Sequence, residues 1–193
     1  MGEMATRWII VMLLAWVTAL ALGFALLAGW EITPGTASPA PARWPIAATI
    51  SRSAEHPTIV MFAHPYCPCT RASLAELAAV MRDDRHDATA TVVFFAPDDA
   101  VELDSPTWAA AGDLPRTRRV LDHGGVLAKL FGATTSGHLV IYDREGGLLF
   151  SGGITGSRGH VGDNIGRRSV LARLTEQPAQ PTYDVFGCSL GGS

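Results

Sequence analysis

The chain has 193 residues, of which 48% are hydrophobic and 17% are charged, and its formal net charge at pH 7 is −3. This balance argues against a nucleic-acid-binding domain, because Lys and Arg are neither in excess nor gathered into a basic stripe. The three cysteines are too few for a disulfide scaffold, and their odd number leaves at least one thiol free, shared or exchanged. We therefore expect cysteines that serve a function.

The first predicted element is an uncharged run, residues 8–30, which is long enough to cross a bilayer as a helix and has Trp at both ends. A cleaved secretory signal is the alternative, but its apolar region is usually shorter and ends in a small-residue cleavage site. Arg7 and the shortness of the leading tail favour a cytoplasmic tail of residues 1–7. We expect a single-pass protein of the bacterial inner membrane, with its body in the periplasm, where disulfides can persist.

The chain after residue 30 predicts a linker followed by one domain. Residues 31–50 are rich in Pro and Ala and predict a semi-extended spacer. Residues 51–193 are enough for a single hydrophobic core. Within them, residues 58–63 form a continuous apolar run typical of a strand covered on both faces, and residues 70–82 carry apolar side chains at helical spacing. Residues 90–96 predict a second buried strand.

The rest of the domain predicts shorter elements. Residues 97–125 are less regular, and the glycine-flanked turn after residue 142 indicates a hairpin. The order of elements is typical of an α/β domain with a mixed sheet flanked by helices. The predicted elements are a helix near 107–111, a strand near 118–121, a helix at 126–131, hairpin strands at 138–142 and 148–151, and a final helix at 165–176.

The motif Cys67-Pro68-Cys69 stands where the first strand of the domain meets its first helix. Proline suits the first position of a helix and holds the preceding residue extended. Cys67 then lies where unpaired backbone N–H groups stabilise a thiolate, so we predict that it is the nucleophile. We expect a Cys67–Cys69 disulfide to be possible but strained, because two extended residues span roughly 7 Å between Cα atoms whereas disulfides need about 4.4–6.8 Å. The alternative is a purely structural role, in which Cys67 and Cys69 are buried thiols without chemistry.

Several phrases of the sequence resemble one superfamily. A strand that ends in a short cysteine motif and opens a helix, followed by FGATTSGHLVIYDREGGLLFSGG, resembles the thioredoxin-like superfamily over about residues 58–176. The phrase LVIYDREGGLLF is similar to membrane-anchored thiol-disulfide oxidoreductases of the TlpA type. HPYCPCTRASLAEL, SGGITGSRGH and a terminal FGC are similar to the bacterial family labelled RedB. The resemblance implies a thioredoxin-like fold and thiol-disulfide exchange.

Two departures from the superfamily pattern bear on the site. One residue separates the cysteines where two are usual, and Gly137 stands where a cis-proline is expected. In the thioredoxin-like topology the glycine-rich loop GGITGSRGHVGDN emerges beside Cys67, although it also fits a flexible connection or an anion cradle. The candidate groove and supporting residues are His64, Pro68, Arg71, Ser136, Gly137, His138, Arg158 and His160.

Three functions are consistent with these residues. The first is a membrane-anchored thiol-disulfide oxidoreductase acting on extracytoplasmic proteins, in which Cys67 attacks and Cys69 or Cys188 resolves. It needs a protein partner and a recycling reductant or oxidant, and no cofactor or metal. The second is a copper metallochaperone that uses Cys67, Cys69 and either His160 or Cys188. The third is a noncatalytic adaptor.

Peroxidase activity is disfavoured, since no threonine precedes Pro65 at the peroxiredoxin spacing. Cys188 also fits a tail cysteine without a partner.

Overall fold

The computed structural model describes residues 2–96 and 103–191. The first residue of the expected cytoplasmic tail, the start of the irregular segment at 97–102 and the last two residues of the domain lie outside that description. The described chain forms two compact units, residues 1–33 and residues 34–193.

The first unit is the helix α1 (Gly2–Glu31), whose most apolar window has a mean hydropathy of 2.6 and is not buried inside the protein. Its length and composition allow it to cross a membrane, as the uncharged run predicted. The helix extends the predicted span at both ends, because residues 2–7 continue the same backbone pattern. Thr18 fits within it by donating its hydroxyl to the carbonyl of Leu14.

The second unit is a sheet with helices around it. The sheet order is β3-β2-β1-β4-β5-β6; β1 runs parallel to β2 and antiparallel to β4, and β4 and β5 are also antiparallel. The elements in chain order are β1 (Thr58–Ala63), α2 (Pro68–Met81), β2 (Thr89–Ala96), α3 (Pro106–Gly112), β3 (Thr117–His123), α4 (Val126–Leu130), β4 (Leu139–Tyr142), β5 (Leu148–Gly152), α5 (Ile165–Leu174) and β6 (Thr182–Tyr183).

The sheet is apolar on both faces. Alternate residues of β1 belong to two separate core clusters, with Ile59 and Met61 in one and Val60 and Phe62 in the other. Successive side chains of a strand point to opposite faces, so a strand covered on both sides reads as a continuous apolar run. That is why the uninterrupted patterns of β1 and β2 predicted buried strands correctly.

The sequence predictions of strands and helices agree with the structure at the level of element and type. Even the irregular segment contains the expected helix and strand, α3 and β3. Helix α2 begins at Pro68, two residues earlier than predicted, because proline occupies its first turn. The short strand β6 was not predicted, since two residues carry no periodic signal.

The Pro/Ala-rich segment differs from the spacer that the sequence suggested. From Pro34 onward it belongs to the second unit, and Trp44 packs edge-on against Phe131 and Tyr142 at ring distances of 5.2 and 5.3 Å. The backbone N–H of Leu148 donates to the carbonyl of Ala42 at 3.0 Å. A large aromatic side chain and paired backbone groups therefore fix a segment whose composition alone indicated an extended chain.

Candidate functional site

Cys67 lies at the junction that the sequence predicted. It is the residue that precedes α2, with extended backbone angles of φ −80° and ψ 124°, and Pro68 opens the helix. The backbone N–H of Thr70 donates to the Cys67 carbonyl at 3.0 Å. The Cys67 side chain is only 4% exposed. Cys67 therefore lies at a helix N-terminus but is buried from solvent.

The third cysteine, Cys188, reaches this point from the C-terminal tail. Its sulfur lies 2.7 Å from the sulfur of Cys67, and the sulfurs of Cys67, Cys69 and Cys188 all lie within 4.8 Å of one another. All three are free thiols. A disulfide has an S–S length of about 2.05 Å, so Cys67 and Cys188 need to approach by roughly 0.7 Å to form one. The cluster can form a disulfide or bind a thiophilic metal ion.

The tail, which we define as residues 185–190, is held by backbone pairing to residues 134–136. The N–H of Ser136 donates to the Cys188 carbonyl at 2.8 Å, and the N–H of Leu190 donates to the Thr134 carbonyl at 2.9 Å. Thr135 and Ser189 form an antiparallel bridge between them. Gly187 passes so close that an added Cβ would lie 1.9 Å from the Ser136 carbonyl oxygen. These contacts fix where the Cys188 sulfur lies.

The three thiols differ in acidity. Burial raises the pKa of Cys67, but hydrogen bonds from the Cys188 side chain and backbone outweigh burial, with help from backbone N–H groups of α2, and leave the pKa below its ordinary value. Burial, the hydrogen bond to Cys67 and the charges of Cys67 and Cys69 together raise the pKa of Cys188 to about 12. Cys67 is thus the more acidic thiol of the pair, and Cys188 is the less acidic one.

Cys69 is a second buried thiol on the same helix turn. Burial raises its pKa, and so do the charge and hydrogen bond of Cys67. The guanidinium of Arg158 and the backbone N–H of Gly159 oppose that rise. Arg158 also donates to the Gly187 carbonyl. The structure therefore brings Arg158 of the glycine-rich loop to the thiols, as expected from the topology.

A buried hydroxyl pair joins the cysteine turn to the tail. The hydroxyls of Thr70 and Ser136 lie 2.7 Å apart, and the Thr70 hydroxyl also donates to the His64 carbonyl at 2.9 Å. The hydroxyl of Ser136 accepts from the His64 backbone N–H at 2.9 Å. Since the N–H of Ser136 holds the Cys188 carbonyl, this one residue contacts both halves of the site. Thr70 was not among the predicted site residues.

Gly137 is held in a backbone conformation that proline cannot adopt. Its φ is +90°, whereas a proline ring fixes φ near −65°. An added Cβ would also lie 2.7 Å from the Ser73 hydroxyl oxygen. The described residues contain no cis peptide bond. The backbone at residue 137 therefore requires glycine, and the proline of the superfamily pattern would not fit this conformation.

Three of the predicted supporting residues, His64, Pro68 and Arg71, lie on or next to the cysteine turn. The ring of His64 stacks on Phe95 at 6.1 Å, and its Nδ1 accepts the N–H of Tyr66 at 3.3 Å. Burial lowers the pKa of His64, which favours its neutral form. Arg71 is exposed on the outer face of α2 and lines a groove of about 430 Å³ between α2 and α3. Pro68 is exposed at the start of the helix.

The remaining two histidines do not join the thiol cluster. His138 is buried, with Nε2 2.9 Å from the Ser151 hydroxyl, and burial lowers its pKa to about 4. The His138 side chain bonds to the neighbouring strand and is not among the three residues whose ligand atoms cluster, Cys67, Cys69 and Cys188. His160 is exposed, and it is absent from the group of residues able to hold a metal ion.

A buried ion pair that the sequence patterns did not predict supports the glycine-rich loop. Glu76 of α2 is fully buried, accepts the backbone N–H of Gly162 at 2.6 Å and contacts Arg167 at 2.7 Å. The loop it holds carries Arg158 and Gly159 to the thiols. A charged residue at an inward position of a helix could have signalled this role, because buried carboxylates are normally paired.

Comparison with known proteins bears on the fold. No protein-family model and no curated protein matches the sequence. The chain is similar to an uncharacterized conserved protein from Geobacillus kaustophilus, with 20% identity and a TM-score of 0.58 over 84% of this chain and 93% of that one. A hypothetical protein from Sinorhizobium meliloti has 20% identity and a TM-score of 0.56 over 83% and 94%. A secreted Mycobacterium tuberculosis disulfide oxidoreductase aligns at 13% identity and a TM-score of 0.44 over 64% and 83%, a likeness too weak to carry an argument.

The topology decides the fold. A parallel β1-α2-β2 unit is followed by the antiparallel hairpin β4–β5, whose first strand pairs with β1, and then by helix α5. The fold is thioredoxin-like. This confirms the fold class expected from the sequence, with the cysteine motif at the end of β1. The narrower resemblance to TlpA-type and RedB-like proteins stays a prediction.

Proposed function

We propose that the chain is a thiol-disulfide oxidoreductase in which Cys67 is the attacking thiol and Cys188 resolves the mixed disulfide. The observation that carries this proposal is the 2.7 Å approach of these two sulfurs at the N-terminus of α2. The lowered pKa of Cys67 supports its role as nucleophile, since the thiolate is the reactive form.

The exchange proceeds in two balanced steps. The Cys67 thiolate attacks one sulfur of a partner disulfide, forms a mixed disulfide and releases the other partner sulfur as a thiolate. Cys188 then loses its proton and attacks the Cys67 sulfur, which releases the second partner thiolate and leaves a Cys67–Cys188 disulfide. Two electrons pass to the partner, and the reverse sequence oxidises a partner dithiol. A dithiol or disulfide of a second protein resets the pair.

Formation of the mixed disulfide at Cys67 favours the following attack by Cys188. Apart from burial, the pKa of Cys188 is raised by its hydrogen bond to Cys67 and by the Cys67 charge. Both of these causes disappear once Cys67 is in a mixed disulfide, so the pKa of Cys188 falls when its thiolate is needed. The positive charge of Arg158 also lowers that pKa. Cys188 therefore remains protonated until Cys67 has reacted.

The proposed location is the bacterial inner membrane, with α1 as a single-pass anchor, residues 1–7 in the cytoplasm and the body in the periplasm. The length and hydropathy of α1 support an anchor. An oxidising compartment suits a protein whose cysteines cycle through a disulfide. The proposed partners are extracytoplasmic proteins, and the sequence resemblance to TlpA-type and RedB-like proteins is consistent with them.

Glutathione disulfide tests the proposed chemistry directly. Reduced full-length chain in detergent micelles is mixed with glutathione disulfide, and the released thiol and the mass of the chain are measured. We expect two equivalents of glutathione per chain from the native sequence and from Cys69→Ser. Cys188→Ser should release one equivalent and retain one glutathione on Cys67. Two equivalents from Cys188→Ser with one from Cys69→Ser would assign resolution to Cys69, and no release at all would favour the noncatalytic adaptor.

A soft-metal site is the second candidate, because the three sulfurs lie within 4.8 Å of one another. Thiolate ligands suit Cu(I) and also zinc. The third ligand here is Cys188 and not His160, the other residue that the sequence offered. Metal binding and disulfide formation use the same sulfurs and exclude each other. Titration of the reduced chain with Cu(I) under a competing chelator should give one bound ion per chain for this function, and loss of binding in Cys188→Ser.

A further inference from the structure

The tail covers the cysteine site as an added strand would. It contributes backbone hydrogen bonds on both sides of Thr135, one accepted by the Cys188 carbonyl and one donated by the Leu190 N–H, and an antiparallel bridge through Ser189. Residues 134–136, which we call the docking edge, would otherwise present unpaired backbone groups. Cys67, beside this edge, is only 4% exposed. A partner protein reaches the Cys67 sulfur only after the tail moves.

The geometry points to an extended polypeptide as the partner, and to the tail as its internal competitor. We propose that a cysteine-bearing segment of the partner pairs with the docking edge in the place of residues 185–190 and presents its own sulfur where the Cys188 sulfur now lies. This inference rests on the proposed function and adds to it a substrate class. An exposed strand edge binds extended peptides through main-chain hydrogen bonds, and its pockets select their side chains.

The tail also indicates which residues the edge accepts. At the position before the cysteine, a Cβ on Gly187 would lie 1.9 Å from the Ser136 carbonyl oxygen, which no ordinary side chain tolerates. One position earlier, Phe186 is buried to 6% exposure, and after the cysteine Leu190 is buried to 3%. The favoured partner segment is therefore an apolar residue, then glycine, then cysteine.

Reduction is what makes the tail displaceable. In the oxidised chain the proposed Cys67–Cys188 disulfide links the tail covalently to the start of α2 and holds it on the docking edge. In the reduced chain only side-chain burial and main-chain hydrogen bonds hold it, and a segment with the same contacts competes for them. Partner access would thus follow the redox state of the pair, with the reduced chain admitting a disulfide partner.

Two peptides test the selectivity. One has the tail sequence Asp-Val-Phe-Gly-Cys-Ser-Leu, and the other has alanine in place of its glycine; in each the cysteine carries thionitrobenzoate as a chromogenic leaving group. Reduced full-length chain in micelles should react at Cys67 with the glycine peptide at least about tenfold faster than with the alanine peptide. Equal rates would overturn the inference. If Cys67 reacts with glutathione disulfide, that result would leave the proposed function standing.

A tail variant tests the competition. Gly187→Val should push the tail off the docking edge and raise the rate with the glycine peptide about tenfold or more over the native chain. Both rates are expressed per Cys67 thiolate, because moving the tail also removes the Cys188 hydrogen bonds that lower the pKa of Cys67. Gly191→Val is the matched control, because its Cβ meets nothing within 4 Å, and it should leave the rate unchanged. An unchanged rate in a folded Gly187→Val chain would refute competition by the tail.

Amide hydrogen exchange on the native sequence covers the case in which Gly187→Val does not fold. The N–H of Leu190, bonded to the docking edge, should exchange at least about tenfold faster in the reduced chain than in the oxidised one. The core amides of β1 serve as the internal reference. Equal protection of Leu190 in the two states would contradict a tail that reduction releases.

Discussion

The site is assembled from two regions that hold their cysteines in different ways. Cys67 and Cys69 stand at the start of a regular helix, on a strand-to-helix turn built into the central sheet. Cys188 stands on an irregular tail, held by main-chain pairing to residues 134–136 and by buried apolar neighbours. The first region is part of the fold, whereas the second is docked on it. We infer that the tail sets access to Cys67, and that the tail and the helix together lower the pKa of its thiol.

The largest expected effect separates the two regions by chemistry. Cys67→Ser should reduce the rate of thiol release from glutathione disulfide by at least about 1,000-fold, because it removes the attacking sulfur. Cys188→Ser should leave the rate of the first step within about tenfold of native, since it removes the resolving thiol and one hydrogen bond to Cys67. Stopped-flow measurement of the first step checks both. A larger loss in Cys188→Ser than in Cys67→Ser would reverse the roles of the two cysteines.

Acid should destabilise the fold through His138, whose buried ring contacts Ser151 of β5. Burial lowers the pKa of this imidazole from 6.5 to about 4, so the folded state favours the neutral ring. Its contribution to stability is present in full above pH 6.5 and is lost as the pH falls through 4. The loss amounts to about 3 kcal/mol. Denaturant unfolding at several pH values should show this loss in the native chain and much less in His138→Gln, with exposed His160→Gln behaving as native.

Glu76 tests how far the helical region depends on its supporting loop. Glu76→Gln removes the charged hydrogen-bond partner of Arg167 and should cost about 1.5–3 kcal/mol in the free energy of unfolding. It should also raise the pKa of Cys69, because the loop that carries Arg158 and Gly159 loosens. Asp163→Asn, at an exposed ion pair, is the control and should cost less than about 0.5 kcal/mol. An unchanged Cys69 alkylation profile in Glu76→Gln would show that the loop is held by other contacts.

The smallest effect concerns the residue that contacts both regions. Ser136→Ala removes one of the two hydrogen bonds of the Thr70 hydroxyl and leaves the His64 N–H without its partner, and it should cost about 1–2 kcal/mol of stability. The matched control, Ser51→Ala, changes an exposed hydroxyl and should cost less than about 0.5 kcal/mol. Thermal unfolding of the two variants provides the comparison. Equal stabilities would mean that the hydroxyl pair does not couple the cysteine turn to the tail.

Sequence patterns predicted the first region far better than the second. The apolar run of β1, the proline at the start of α2 and the spacing of its apolar residues are local signals, and they placed Cys67 correctly. The position of Cys188 depends on pairing with residues 134–136, about fifty residues earlier in the chain, and no periodicity encodes such a contact. The burial of His138 and the packing of Trp44 likewise depend on long-range contacts. The positive φ of Gly137 is consistent with its glycine, but the sequence alone did not require it.

The pairing of Cys67 with Cys188 is tested by mapping the disulfide in the full-length chain isolated from its membrane without reductant. Proteolysis and mass spectrometry would identify the linked peptides and any bound metal. We expect a mass lower by two hydrogens, with Cys67 joined to Cys188 and Cys69 free. A link between Cys67 and Cys69, or three reduced thiols holding a metal ion, would contradict the proposed exchange.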